Sequence, residues 1–351
     1  MKALVAMSGG VDSSVAAALM LEQGYDVIGV TLKQWEGPDG SMPVSGCCTL
    51  SDAEDARRVA AQLDIPYYVL DYVDDFAEAV IQPFLDGYLN GLTPNPCIEC
   101  NRKVRFTALL ERTHALGCDV LVTGHHARVE ERDGEWRLRM AIDDTKDQSY
   151  VLHMLDQRAL SMVKLPVGEM TKRDVRAYAS KLGLRTASKP DSQDICFVTS
   201  GDYRDFLKQA IPDLTGGGEV LDTGGSVVGH HDGTPGFTIG QRKGLGVSLG
   251  EPRYVIDISP RNQTITIGTY EELLTASCET DQLTYTNDPI RDGDRVEVKT
   301  RYRSAPVAAR AEMIEDGWRF VFREPEARPA PGQTLVVYDG EYVLGGGIIR
   351  Q

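Results

Sequence analysis

Ser8-Gly9-Gly10-Val11-Asp12-Ser13-Ser14 is the stretch on which the fold turns. It follows a short apolar run at residues 3–6 and leads into a helical pattern over residues 12–23. Strand, glycine turn and helix start in that order make a phosphate-binding unit. Gly9 and Gly10 let the backbone fold tightly and present N–H groups, and the helix N-terminus adds partial positive charge. Ser13 and Ser14 add hydroxyls, and Asp12 suits both a helix start and a magnesium ion held by phosphates. Gly-Lys-Ser/Thr is absent, so this is not a Walker A loop.

Outward from the turn, strand-like runs at residues 26–32, 67–70 and 119–123 alternate with helical patterns at 51–63, 76–90 and 102–116. This alternation predicts a parallel sheet wrapped by helices. Ser51 and Glu54 have the spacing of a capping box. A hairpin is expected over 129–140, turning on Arg132-Asp133-Gly134-Glu135, with helices again at 148–155 and 171–182. From about Leu214, turn residues separate short alternating runs at 254–258, 264–267, 295–300, 318–322 and 334–338, so the second half is largely β.

The 351 residues exceed what one core usually organises. No run approaches the ~18 apolar residues of a membrane span, and the first residues read as a buried strand rather than a signal peptide, which predicts a cytoplasmic protein. Seven cysteines are too few for a secreted disulfide scaffold. A net charge of −15 argues against nucleic-acid binding by bulk electrostatics and leaves only locally concentrated basic residues.

Thr93-Pro94-Asn95-Pro96-Cys97-Ile98-Glu99-Cys100-Asn101-Arg102-Lys103 is the second informative stretch. The prolines fix an extended approach, which places Cys97 and Cys100 at the start of the 102–116 helix. The helix dipole and Arg102 and Lys103 favour thiolates there. A lone Cys-x-x-Cys leaves half a zinc site, a redox pair or two buried residues open. A third cysteine follows in Asp194-Ile195-Cys196-Phe197. Cys47 and Cys48 read as loop or buried residues, with a sulfur relay as the functional alternative, and Cys118 and Cys278 as structural.

The Ser-Gly-Gly-x-Asp-Ser-Ser turn resembles the PP-loop of the ATP pyrophosphatases, which cleave ATP between the α and β phosphates. With Thr93–Pro96, Thr123-Gly124-His125, Lys146-Asp147-Gln148-Ser149-Tyr150, Asp194–Phe197, Gly240–Gly246, Lys299–Arg303 and Leu344–Ile349, the chain resembles the bacterial tRNA-specific 2-thiouridylases over nearly its whole length. The resemblance implies adenylation of O2 of uridine 34 in tRNAs reading Lys, Glu and Gln codons, then replacement of that oxygen by sulfur. It implies ATP and magnesium as cofactors, and a cysteine desulfurase or sulfur-relay protein as donor. Ala6, Met7, Ser8, Gly9, Gly10, Val11, Asp12, Ser13, Leu32 and Gly124 match the nucleotide-binding positions. Asn95, Pro96, Cys97, His125, Lys146, Asp147, Gln148, Arg301, Tyr302 and Gln333 match tRNA contacts. A basic strand from Arg295 to Arg310 and the loop of Gln241, Arg242 and Lys243 fit RNA phosphate contact.

In the family's persulfide scheme Cys196 matches the sulfur carrier and Cys100 its partner thiol. Many members carry Asp at the position of Cys97. Three thiolates, Cys97, Cys100 and Cys196, would instead suit a [4Fe-4S] cluster with one open iron, and the sequence leaves both schemes open. The rival readings are an amidotransferase-type PP-loop synthetase and a non-catalytic iron–sulfur or nucleotide sensor. The resemblance divides the chain into a PP-loop α/β domain at 1–200, a connecting domain at 201–270 and a β-barrel-like domain at 271–351.

Overall fold

The computed structural model describes residues 1–36, 49–191, 195–198, 203–211, 216–247 and 249–351. β1 (Lys2–Ala6), β2 (Asp26–Lys33), β3 (Tyr67–Asp71), β4 (Val120–Val122) and β7 (Val163–Lys164) form a parallel sheet in the order β3-β2-β1-β4-β7. Leu4 pairs with Ile28 on one side and Leu121 on the other. β1 and β4 are buried on both faces, as their unbroken apolar runs require. α1 (Val11–Glu22) packs Val15, Ala16 and Met20 against one face.

Helix starts moved where sequence signals competed. α2 (Leu50–Gln62) is capped by Thr49 rather than Ser51: Thr49 Oγ1 accepts the Asp52 N–H at 3.1 Å and the Asp52 carboxylate accepts the Thr49 N–H at 2.9 Å. Thr49-x-x-Asp52 is the same box two residues earlier. The cysteine-bearing helix starts at Pro96, not Arg102, because proline is tolerated at the first helical position and Asn95 caps it. It continues as a π-helix over Cys100–Ala108 and then as Leu109–Ala115. Residues 73–89 are also helical, with a π segment at Ala77–Ile81. The expected helix at 148–155 is only a 3-10 turn, Ser149–Leu152. The helix expected over 171–182 runs from Lys172 to Lys181 and is capped by Thr171.

β5 (Ala127–Arg132) and β6 (Glu135–Met140) form the expected hairpin, with positive φ at Asp133 and Gly134. β8 (Gly218–Leu221), β9 (Val227–His231), β10 (Tyr254–Ser259) and β11 (Thr264–Gly268) make a small sheet in the order β10-β11-β8-β9. The remaining strands are β12 (Leu274–Thr280), β13 (Thr284–Tyr285), β14 (Arg295–Lys299), β15 (Val307–Ile314), β16 (Gly317–Ala327), β17 (Thr334–Asp339) and β18 (Tyr342–Ile348). The single basic strand expected from Arg295 to Arg310 is therefore two strands, β14 and β15, joined by a turn. β18 pairs with β6, Val343 opposite Leu138, so the hairpin of the α/β half extends the C-terminal sheet. Along β17, Leu335 and Val337 face the C-terminal core while Val336 and Tyr338 enter the α/β core. One strand thus serves both. Among the described residues no helix is long and apolar enough to cross a membrane.

Candidate active site at the ends of the parallel strands

The glycine turn sits where the parallel strands end, the usual ligand crevice of such sheets. Gly9 has φ 71°, and a Cβ there would stand 2.1 Å from the Asp52 carbonyl oxygen at the start of α2. A Cβ on Gly124 would stand 2.6 Å from the Ser13 nitrogen. Gly124, one of the expected nucleotide contacts, packs against the first turn of α1. Ser13 Oγ accepts the Ser8 N–H at 3.1 Å, and the Ser14 hydroxyl donates to the Gly10 carbonyl at 2.7 Å. Those hydroxyls hold the turn, leaving the N–H groups of the first helical turn for an anion. Met7, Val11 and Leu32 are buried, so their side chains build the crevice floor.

Charged side chains that the sequence did not single out surround the turn. Asp12 accepts from Lys172 Nζ at 2.7 and 2.8 Å and lies 3.1 Å from His126 Nε2. Burial alone would raise its carboxyl, but these partners bring it below the usual carboxylate range. Asp191 takes Lys146 at 2.8 Å, Lys172 at 2.9 Å and Arg176 at 2.8 Å. Lys189 reaches the Gly9 carbonyl at 3.0 Å and Asp52 at 2.7 Å. No spacing rule joins positions 12, 172 and 191.

Of the expected tRNA contacts around this crevice, Lys146 is paired with Asp191. Asp147 is buried and accepts from Ala141 N–H at 2.9 Å, Ser149 N–H at 3.2 Å and Ser149 Oγ at 2.8 Å. Gln148 Oε1 accepts the His126 N–H at 2.9 Å. His125 is buried beside Thr123, 2.8 Å from its hydroxyl, and burial lowers its pKa to about 3, so the imidazole is neutral.

Asn95 Oδ1 accepts the Cys97 N–H at 3.1 Å, and Cys97 is exposed. Cys100, one turn on, is buried, and the Gln34 amide just beyond β2 donates to its sulfur at 3.2 Å. This places Cys100 at the crevice edge. Cys196 is half-buried against the same apolar cluster as Cys100, where Phe197 meets Phe84 at 5.3 Å and Phe206 at 5.2 Å between ring centres. Among the described residues no group of three His, Cys, Asp or Glu side chains is gathered as a metal site. Cys97 is exposed, Cys100 buried and Cys196 half-buried. Cys118 and Cys278 are buried, and burial raises both thiols, that of Cys278 to about 12. Cys47 and Cys48 lie outside the described residues.

The C-terminal strands close the other side. Gln333 Nε2 donates to the Thr93 carbonyl at 2.6 Å, and the Thr93 N–H donates to the Pro331 carbonyl at 2.7 Å. Tyr302 follows β14 and meets the Tyr150 ring at 6.1 Å. Burial raises its hydroxyl pKa, and the Asp147 charge adds to the rise. Arg301 lies 3.5 Å from the Arg328 carbonyl and against Gly240. Residues from 93 to 97, 147 to 150, 302 and 333 therefore meet in one place.

Three family models match in succession: a tRNA methyl transferase HUP domain over residues 1–200, a tRNA methyl transferase PRC-barrel domain over 204–269, and an aminomethyltransferase beta-barrel domain over 275–349. The tRNA-specific 2-thiouridylase MnmA of Clostridioides difficile is 44% identical over 100% of this chain and 98% of its own length. The protein of that name from Carboxydothermus hydrogenoformans is 46% identical over 100% of this chain and 98% of its own. That of Roseiflexus castenholzii is 44% identical over 100% and 99%.

Proposed function

The chain belongs to the tRNA-specific 2-thiouridylase family, and from that premise we propose that it is a tRNA-uridine 2-sulfurtransferase acting on uridine 34 of tRNAs reading Lys, Glu and Gln codons. The observation that carries the reading is the Gln34–Cys100 contact at 3.2 Å, which brings a thiol to the crevice of the phosphate-binding turn. Residues 1–200, 201–270 and 271–351 act as nucleotide, connecting and tRNA-contacting parts of one cytoplasmic enzyme.

ATP lays its phosphates on the backbone from Ser8 to Ser13, where the first turn of α1 stabilises negative charge. Uridine O2 attacks the α phosphorus, pyrophosphate leaves, and N3 loses its proton. A persulfide on Cys196, supplied by a desulfurase or relay protein, attacks C2 with its outer sulfur; the C2–O bond breaks and AMP leaves. The Cys100 thiolate then attacks Cys196 Sγ. The S–S bond breaks, its electron pair stays on the sulfur bound to C2, N3 regains a proton, and a Cys100–Cys196 disulfide remains for a thiol reductant. Asp12, whose carboxylate Lys172 and His126 hold in this structure, is the carboxylate beside the turn that would take magnesium together with the phosphates, and the ion would neutralise phosphate charge. The steps above follow the persulfide scheme, and none is routed through an iron–sulfur cluster.

Single-turnover assays with a persulfide donor test the scheme. Cys100→Ala and Cys196→Ala should each stop thiolation while pyrophosphate is still released, and iron-free Cys97→Asp should retain thiolation. Loss of iron and activity together in all three variants would overturn the persulfide route.

A further inference from the structure

Lys299 closes β14 on the face turned away from the C-terminal core, beside Tyr338 on β17 and one residue before the strand's exit turn reaches Arg301 and Tyr302. It is 6% exposed, and its Nζ lies 5.8 Å from the centre of the Tyr338 ring. Among the described residues no oxygen accepts a hydrogen bond from it and no carboxylate lies within ion-pairing distance. The stem is buried while the ammonium has no protein acceptor among the described residues, so its three donors are left open to a ligand. Burial lowers the Lys299 pKa, and the nearby Asp147 charge offsets part of that.

Asp147 is itself 5% exposed. Of the roughly four lone-pair directions of a carboxylate, the Ala141 N–H, the Ser149 N–H and the Ser149 hydroxyl occupy three, leaving one on Oδ2. Ser149 Oγ lies 2.8 Å from Asp147 Oδ2 and 3.4 Å from the Tyr338 hydroxyl, and Lys299 stands over the Tyr338 ring, so an acceptor and a donor flank Tyr338 close to the Tyr150–Tyr302 pair.

We propose that Lys299 is a specificity-determining residue for the target base, its ammonium donating to the O4 carbonyl of the extruded uracil while Asp147 accepts from N3–H. Uracil presents acceptor then donor along that edge; cytosine presents the N4 amino donor and an N3 acceptor, the reverse. O2, on the other side of N3, is left facing the nucleotide crevice where it must react. Asp147 takes this role before adenylation, when N3 still carries its proton. A buried pair of fixed polarity rejects the mismatched base strongly, because both protein groups would be left unpaired. The inference rests on the tRNA-uridine reading.

The test compares one tRNA carrying uridine, cytidine or 4-thiouridine at position 34, with binding measured beside ATP-dependent AMP release. Wild-type protein should prefer uridine over cytidine by about 10⁴-fold in kcat/KM. 4-Thiouridine, whose sulfur is a poor acceptor, should lose about tenfold or more. Lys299→Met should lower kcat/KM on uridine by about 100-fold and bring cytidine within about tenfold of it, with Tm unchanged or raised because a buried unpaired charge is gone. Equal binding of uridine and cytidine tRNAs by wild type, or a Lys299→Met variant that keeps wild-type kcat/KM and discrimination, would overturn the inference. The substrate series decides even if the variant fails to fold. A wild type that binds uridine tRNA selectively but never releases AMP would instead sink the parent function.

Discussion

His125 and His153 are buried and neutral, and that gives the chain a specific acid sensitivity. Burial lowers His125 to about 3 and His153 to about 4, against an ordinary 6.5. Above pH 6.5 neither the folded nor the unfolded chain protonates these rings, so they add no pH dependence. Below it the unfolded chain takes up protons that the folded chain refuses, and stability is lost until the folded pKa is reached. Each histidine at full effect contributes about 1.4 kcal/mol per pH unit. Urea midpoints should therefore fall steadily from pH 6.5 to 4.5. His153→Asn keeps a donor for the Tyr150 carbonyl, which His153 Nδ1 contacts at 2.9 Å, and should remove about half of that slope. An unaltered slope would mean that His153 does not stay neutral in the folded state.

At the scale of elements, the first turn of the cysteine-bearing helix depends on Asn95. Its side chain accepts the Cys97 N–H, and Pro96 occupies the first helical position, where its missing N–H costs nothing. Asn95→Ala should lower stability by about 1 kcal/mol, and Asn95→Asp should restore most of it. Equal stability of all three proteins in urea would show that the turn is held from elsewhere. The same element marks the limit of sequence reading. The strands β1, β2 and β4 were legible because a buried parallel strand is a short apolar run with turn residues at both ends, and the exposed edge strand β3 because its run is aromatic and β-branched. The start of the cysteine helix was not, because proline before a helix and proline at its first position read alike. Nor were the π segments at Cys100–Ala108 and Ala77–Ile81, which leave no mark in apolar spacing. Within the site, the phosphate turn and cysteines were legible as local motifs. The Asp12–Lys172–Asp191 ion pairs and the approach of Lys299 to Tyr338 were not, since each joins residues distant in sequence through the fold.

At the scale of the whole molecule the issue is how an acidic chain, with net charge −15, can hold tRNA. The answer lies in how rigidly a few cations are placed. β6 pairs with β18, and Glu341 ties Arg128 and Arg139 across that junction. The turn after β14 is thereby fixed relative to Cys97 and the phosphate turn. Arg301 stands in that turn, half in contact with the loop at Gly240, and Arg242 and Lys243 of that loop are exposed nearby in sequence. Each phosphate neutralised by such a cation releases counterions and adds about 0.9 to the slope of log affinity against log salt for duplex, or about 0.7 for single strands. Arg301→Ala should weaken tRNA binding at low salt and lower the measured slope by about one such contact. Because the overall charge repels RNA, the loss should be larger at 50 than at 200 mM salt, where both long-range repulsion and local attraction are screened. Parallel salt titrations of the two proteins, offset by a constant, would show that Arg301 serves packing against Gly240 and the Arg328 carbonyl rather than a phosphate. Coincident titrations would remove it from the interface altogether.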